Sequence, residues 1–115
     1  MPANIEGMVN QYSKIAQKTF DMYIDSYENR NKIITIPLGL QFVPKIIFLK
    51  ANCKYSEFYF VKITKVGESF EIEYGYDTNY TFKITEITAE NLKIKITSAQ
   101  STGATGNFRE IVAIG

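Results

Sequence analysis

The order of apolar and polar side chains divides the chain into two regimes. Ile5, Met8, Val9, Tyr12, Ile15, Ala16, Phe20, Tyr23, Ile24 and Tyr27 recur at three- and four-residue steps. That period predicts an amphipathic helix whose apolar residues fill roughly half the wheel. Lys14, Lys18, Asp21 and Asp25 fall on the opposite face. Gly7 weakens the first turns by about 1 kcal/mol, so the expected helix runs from Met8 to Tyr27 and ends at Glu28-Asn29-Arg30-Asn31. Its lysines precede its acids, against the helix dipole, so it needs a surface to dock on. That surface is either its own domain or a partner, in which case Met8, Val9, Tyr12, Ile15, Phe20, Tyr23 and Tyr27 form an attachment or oligomer interface.

From Lys32 onward the period is two. Ile33 to Ile36 is a β-branched run closed by Pro37-Leu38-Gly39. Lys45 to Leu49 is too apolar to alternate, which suggests a strand buried on both faces or packed centrally, and Pro44 starts it. Glu57 to Thr64 sets Phe58 and Phe60 against Tyr59, Val61 and Ile63, with Phe58, Phe60 and Val61 read as core. Phe70, Ile72 and Tyr74 alternate with Glu71 and Glu73, and Tyr80, Phe82 and Ile84 with Thr81, Lys83 and Thr85. Leu92, Ile94 and Ile96 face in while Lys93, Lys95 and Thr97 face out, and Phe108 to Ile114 closes the chain.

Turn signals at Val66-Gly67-Glu68, Asp77-Thr78-Asn79 and Ala89-Glu90-Asn91 space these strands closely. The expected fold is mainly β, an antiparallel, jelly-roll-like β-sandwich over residues 32–115, preceded by one N-terminal amphipathic α-helix within an arm of residues 1–31. Between the last two strands, Ser98 to Asn107 is a run of small or polar residues in which Gly103 and Gly106 permit positive φ. It reads as slack or as a ligand loop. In the second case Ser98, Gln100, Ser101, Thr102, Thr105 and Asn107, with exposed Tyr55 and Tyr76, are the candidate contacts for a glycan.

Composition narrows the chemistry. The 115 residues hold 13 Lys+Arg and 12 Asp+Glu, no histidine and one cysteine. The even charge argues against a nucleic-acid grip. Without histidine the chain lacks the usual general base, zinc ligand and triad member. A lone cysteine makes no internal disulfide, so a cytoplasmic site of synthesis is expected. No apolar run reaches the length of a membrane span and the N-terminus lacks a leader pattern, so neither membrane insertion nor secretion by that route is expected.

The remaining catalytic candidates are Glu71 and Glu73, two apart on one strand face as a glycosidase pair could be. Pairing across strands with Lys83, Lys93 and Lys95 accounts for them more simply. Those charges, with Lys45 and Lys50 flanking Ile46 to Leu49, also guard strand edges. Cys53 lies between Lys50 and Lys54 but has no histidine to activate it. Lys54 to Lys62 interleaves basic and aromatic residues, and Tyr55 and Tyr59 could stack on a sugar. No metal-ligand spacing or phosphate cradle occurs, so no cofactor is expected.

Three stretches together resemble a known family. Ile36-Pro37-Leu38-Gly39-Leu40-Gln41-Phe42-Val43-Pro44-Lys45-Ile46-Ile47-Phe48-Leu49-Lys50 is similar to the opening of small β-sandwich domains in tailed-bacteriophage virion proteins. Asn91-Leu92-Lys93-Ile94-Lys95-Ile96 resembles their later alternating strand, and Phe108-Arg109-Glu110-Ile111-Val112-Ala113-Ile114-Gly115 their closing one. The chain departs from the family in inserting Leu40-Gln41 and in its N-terminal segment. The resemblance implies a non-enzymatic virion structural protein, foremost a capsid decoration protein on the head surface. The alternative is a tail, baseplate or fibre module that binds host cell-surface glycans. It implies capsid or tail subunits as partners, a homo-oligomer such as a trimer, no nucleic acid or membrane partner, and location in the virion after synthesis in the bacterial cytoplasm.

Overall fold

The computed structural model describes residues 14–26, 28–53, 57–74, 78–99 and 105–115. Eight strands follow one another: β1 (Ile15–Asp25), β2 (Ile33–Pro37), β3 (Ile46–Ala51), β4 (Tyr59–Ile63), β5 (Ser69–Tyr74), β6 (Thr78–Ile87), β7 (Asn91–Ala99) and β8 (Thr105–Ile114). They form two four-stranded sheets, β1-β8-β3-β4 and β2-β7-β6-β5, in which every strand pairing is antiparallel. First pairs with last and second with seventh, the nested arrangement a jelly roll requires, whereas β3–β4 and β5–β6 close as local pairs. The two-layer all-β architecture expected after residue 32 is therefore present.

The expected helix is not. No helix occurs among the described residues, and Ile15–Asp25 is an edge strand paired with β8 from Ile15↔Ile114 to Asp25↔Thr105. The reason lies in β8. Its second edge would have unpaired N–H and C=O groups if residues 15–25 closed on themselves as a helix. The side chains also support the strand, since Phe20, Met22 and Ile24 alternate with Asp21, Tyr23 and Asp25. Ile24 is buried and Phe20 and Met22 pack against the core, while Ile15 and Tyr23 point to solvent at 48% and 65% exposure. The supposed single stripe is thus split between two faces. Residues 15–25 belong to the β-domain rather than to a separate arm, and Met8, Val9, Tyr12 and Tyr27 lie outside the described residues. The polar stretch that was to end a helix instead turns the chain from one sheet to the other. The Asn29 amide N–H donates to the Asp25 carbonyl at 3.0 Å, and Asn31 takes a φ of 65°.

One core lies between the sheets. Ile47, Leu49, Val61, Ile63, Phe108 and Ile111 line it from the first sheet, and Ile36, Ile72, Tyr80, Phe82, Ile84, Leu92, Ile94 and Ile96 from the second. Phe82 and Phe108 meet edge-on across the interface, with ring centres 5.8 Å apart. The inward sets of β6 and β7 match the alternation of the sequence. β3 is central as expected, yet only one of its faces is fully buried, with Ile46, Phe48 and Lys50 half-covered on the other.

The supposed Ser98–Asn107 loop is shorter than its composition suggests. β7 continues through Ala99 and β8 begins at Thr105, so Ser98, Thr105 and Asn107 are strand residues. Gly106 does not use positive φ. A Cβ there would lie 1.9 Å from the Asn52 carbonyl oxygen, so glycine is required by close backbone approach.

Candidate functional site

The outer face of the β1-β8-β3-β4 sheet carries three large exposed apolar side chains, Ile15, Tyr23 and Phe60, whereas Ile33, Val43 and Val66 are exposed elsewhere. Residues directly opposite in register share a face, and three outward rows follow from the pairing. Ile15, Ile114 and Ile46 form an aliphatic row, Gln17, Val112, Phe48 and Lys62 a mixed one, and Thr19, Glu110, Lys50 and Phe60 a charged one. Phe60 is 47% exposed and Phe58 is half-buried beside it. The expectation that Phe58 and Phe60 belong to the core is therefore corrected, while Val61 is buried as expected. β4 sets Tyr59, Val61 and Ile63 on one face and Phe60 with Lys62 on the other, so an aromatic residue on each side blurs the alternation. Pairing of Val61 with Leu49 and of Ile63 with Ile47 turns Phe60 outward.

At the charged end two bulges meet at Arg109. Between Thr19↔Glu110 and Met22↔Phe108 β1 carries an extra residue relative to β8. Between Lys50↔Glu110 and Ala51↔Phe108 β8 carries an extra residue relative to β3. Phe108 and Ile111 are both buried, so the two residues between them, Arg109 and Glu110, both project from the outer face. Arg109 Cζ and Lys50 Nζ each stand 5.5 Å from the centre of the Phe58 ring, the geometry of a cation–π contact. Arg109 Nε approaches Asp21 Oδ1 at 3.5 Å, and the Asn107 amide donates to the same oxygen at 2.9 Å. The Gln17 amide donates to Glu110 Oε2 at 2.7 Å. Thr19, Phe20, Lys50, Phe58, Arg109 and Glu110 line a cleft of about 330 Å³.

The residues singled out from sequence are distributed otherwise. Of the supposed interface, Ile15 and Tyr23 reach the outer sheet face, whereas Phe20 turns inward. Of the ligand set, Asn107 donates to Asp21, the ion-pair partner of Arg109, while Gln100, Ser101, Thr102, Tyr55 and Tyr76 lie outside the described residues. Glu71 and Glu73 project from edge strand β5 opposite Thr81 and Asn79, not opposite the lysines. Lys93 pairs with Glu86 at 3.7 Å. Lys93 and Lys95 sit on interior strand β7 and Lys83 on interior strand β6, so these three lysines guard no edge; Glu71 and Glu73 do. Tyr59 reaches across to the other sheet, its hydroxyl donating to the Glu71 carbonyl at 3.4 Å. Cys53 is fully buried.

A second, more apolar slot of about 240 Å³ opens between β1 and β2, lined by Phe20, Met22, Ile36 and Pro37 with Lys18 at its rim. Among the described residues no three acidic or cysteine side chains converge as metal ligands. Sequence reasoning missed Lys50, Phe58, Phe60 and Arg109 as a group. The interleaved basic and aromatic residues of Lys54 to Lys62 were a visible signal for part of it, but no sequence feature announced the bulges. No family model matches the chain, and neither a curated protein nor a solved structure matches it.

Proposed function

We propose that the protein is a non-enzymatic structural protein of a bacteriophage particle, foremost a capsid decoration protein, that attaches through the aliphatic part of its outer sheet face. The observation carrying this reading is the row Ile15–Ile114–Ile46, apolar and directed away from the core. Burying such side chains contributes about 1.5–3 kcal/mol each before the costs of association. The resemblance to virion β-sandwich domains supports the assignment, and the chain has no histidine for the commonest hydrolytic machinery. A sandwich with its charged side chains near balance also suits many copies standing side by side on one surface, as a homo-oligomer or around a capsid lattice.

The test is incorporation. Ile15→Glu, at an exposed edge position, should leave thermal unfolding nearly unchanged, Ile46→Glu, at a half-covered position, should lower its midpoint modestly, and both should reduce copy number on purified particles at least tenfold. Normal incorporation of both variants overturns the attachment surface, and absence of the unaltered protein from particles overturns the assignment.

A second reading, a tail, baseplate or fibre module that binds host glycans, is favoured by a different observation. The aromatic and cationic cluster of Lys50, Phe58, Phe60 and Arg109 occupies the other end of the same face. Ile46 and Lys50 lie four residues apart on β3, about 13 Å at the usual rise per strand residue.

A further inference from the structure

The cleft at the paired bulges carries more chemical information than a generic polar surface. Lys50 forms no ion pair with any described residue, and its ammonium is held only over the Phe58 ring. Arg109 engages Asp21 through Nε at 3.5 Å and retains further N–H donors on its guanidinium. Both cations border one cleft, where each favours an anionic group. Asp21 and Glu110 stand in the same cluster and offset part of the two cations' charge, and their remaining lone pairs are acceptors for hydroxyl groups. A ligand that satisfies both features carries one acid group and several hydroxyls, and the exposed ring of Phe60 beside Lys50 offers a stacking surface for its C–H face.

We propose that the cleft lined by Thr19, Lys50, Phe58, Arg109 and Glu110 binds the acid-bearing sugar of an anionic glycan. The carboxylate lies between Lys50 and Arg109, the ring rests on Phe60, and the ring hydroxyls donate to Glu110. This inference rests on the glycan-binding reading and specifies its ligand class. The bulges at Arg109 are what make the site, because regular alternation would send Arg109 and Glu110 to opposite faces.

Titration of the full chain with galacturonic-acid oligomers, galactose oligomers and an oligoglutamate peptide tests it, read by calorimetry at low and high salt. Acidic oligomers should bind at least tenfold more tightly than neutral ones and weaken with salt. Lys50→Gln and Arg109→Gln should each reduce that affinity about tenfold and abolish the preference, with thermal unfolding unchanged. Phe60→Ala should weaken both sugars. Equal binding of the two sugars overturns the acid specificity and leaves glycan binding standing. Binding of neither sugar overturns both, and oligoglutamate binding as tight as the uronate shows a generic anion patch and overturns the proposal.

Discussion

The Tyr80 hydroxyl, on the second sheet, donates a hydrogen bond of 3.0 Å to the carbonyl oxygen of Asn52, at the end of β3 in the first. The contact ties the two layers where neither sheet's own ladder can. Burial pushes the Tyr80 hydroxyl far above the usual phenol range, so it remains a donor at any ordinary pH. Tyr80→Phe keeps the ring in the core and removes only the bond. The expected cost is about 1–2 kcal/mol, measured by urea unfolding. A variant as stable as the parent would show that the tie contributes nothing.

Asn52 also holds the start of β8. Its N–H donates to the Asn107 carbonyl at 3.1 Å and its side-chain oxygen accepts from the Asn107 N–H at 2.7 Å. Gly106 fits under the Asn52 carbonyl only because it has no side chain. Gly106→Ala sets a methyl against backbone, which has no rotamer by which to yield, and overpacking of this kind costs about 3 kcal/mol. Circular dichroism melts should show a large fall in midpoint. An unchanged midpoint would mean that β8 can shift away from Asn52.

The β4–β5 turn depends on one carboxylate. Glu68 accepts from the N–H of Thr64 at 2.5 Å, the Thr64 hydroxyl at 2.9 Å and the N–H of Lys65 at 2.7 Å, and Gly67 supplies the φ of 98° that the turn needs. These bonds, the Thr64 N–H foremost, hold the Glu68 carboxyl below its ordinary value of 4.5. A folded pKa below the unfolded one contributes stability that is complete above the unfolded value and disappears as pH falls through the folded value. Glu68→Gln should therefore be less stable than the parent at pH 7, by a small amount because the group is exposed. The gap should close as the pH falls below about 4. A gap that stays constant from pH 7 to pH 3 would remove the carboxylate from the account.

Deleting residues 1–30 distinguishes an edge strand from a detachable arm. Phe20, Met22 and Ile24 would leave the core, and β8 would lose one of its two partner strands along its whole length. At about 1.5–3 kcal/mol for each side chain, the loss is comparable to the roughly 5–15 kcal/mol that holds a typical domain together. The remaining chain should show no cooperative unfolding transition. A sharp transition and dispersed amide resonances in the fragment would mean that residues 31–115 fold alone.

Much of the fold was legible in the sequence because a strand with one buried face imprints its period. Leu92, Ile94 and Ile96 against Lys93, Lys95 and Thr97, and Phe82 and Ile84 against Lys83, read correctly from pattern alone. Ile15–Asp25 did not, because its apolar residues satisfy two periods at once. Ile15, Phe20, Tyr23 and Ile24 fit a helix, and Phe20, Met22 and Ile24 fit a strand. The lysines placed against the helix dipole were the sequence's hint of the outcome, but an unfilled edge on β8, distant in the chain, decided it. Arg109 is the sharper case. Its residue type was present in the sequence, but its direction depends on register shifts against two different strands. The sequence by itself determined which residues seek burial and the two-layer β class that follows. Tertiary structure alone decided which edge β1 fills, which aromatic residues of β4 face water, and where the cations of Lys50 and Arg109 meet, because each depends on pairing between segments far apart in the chain.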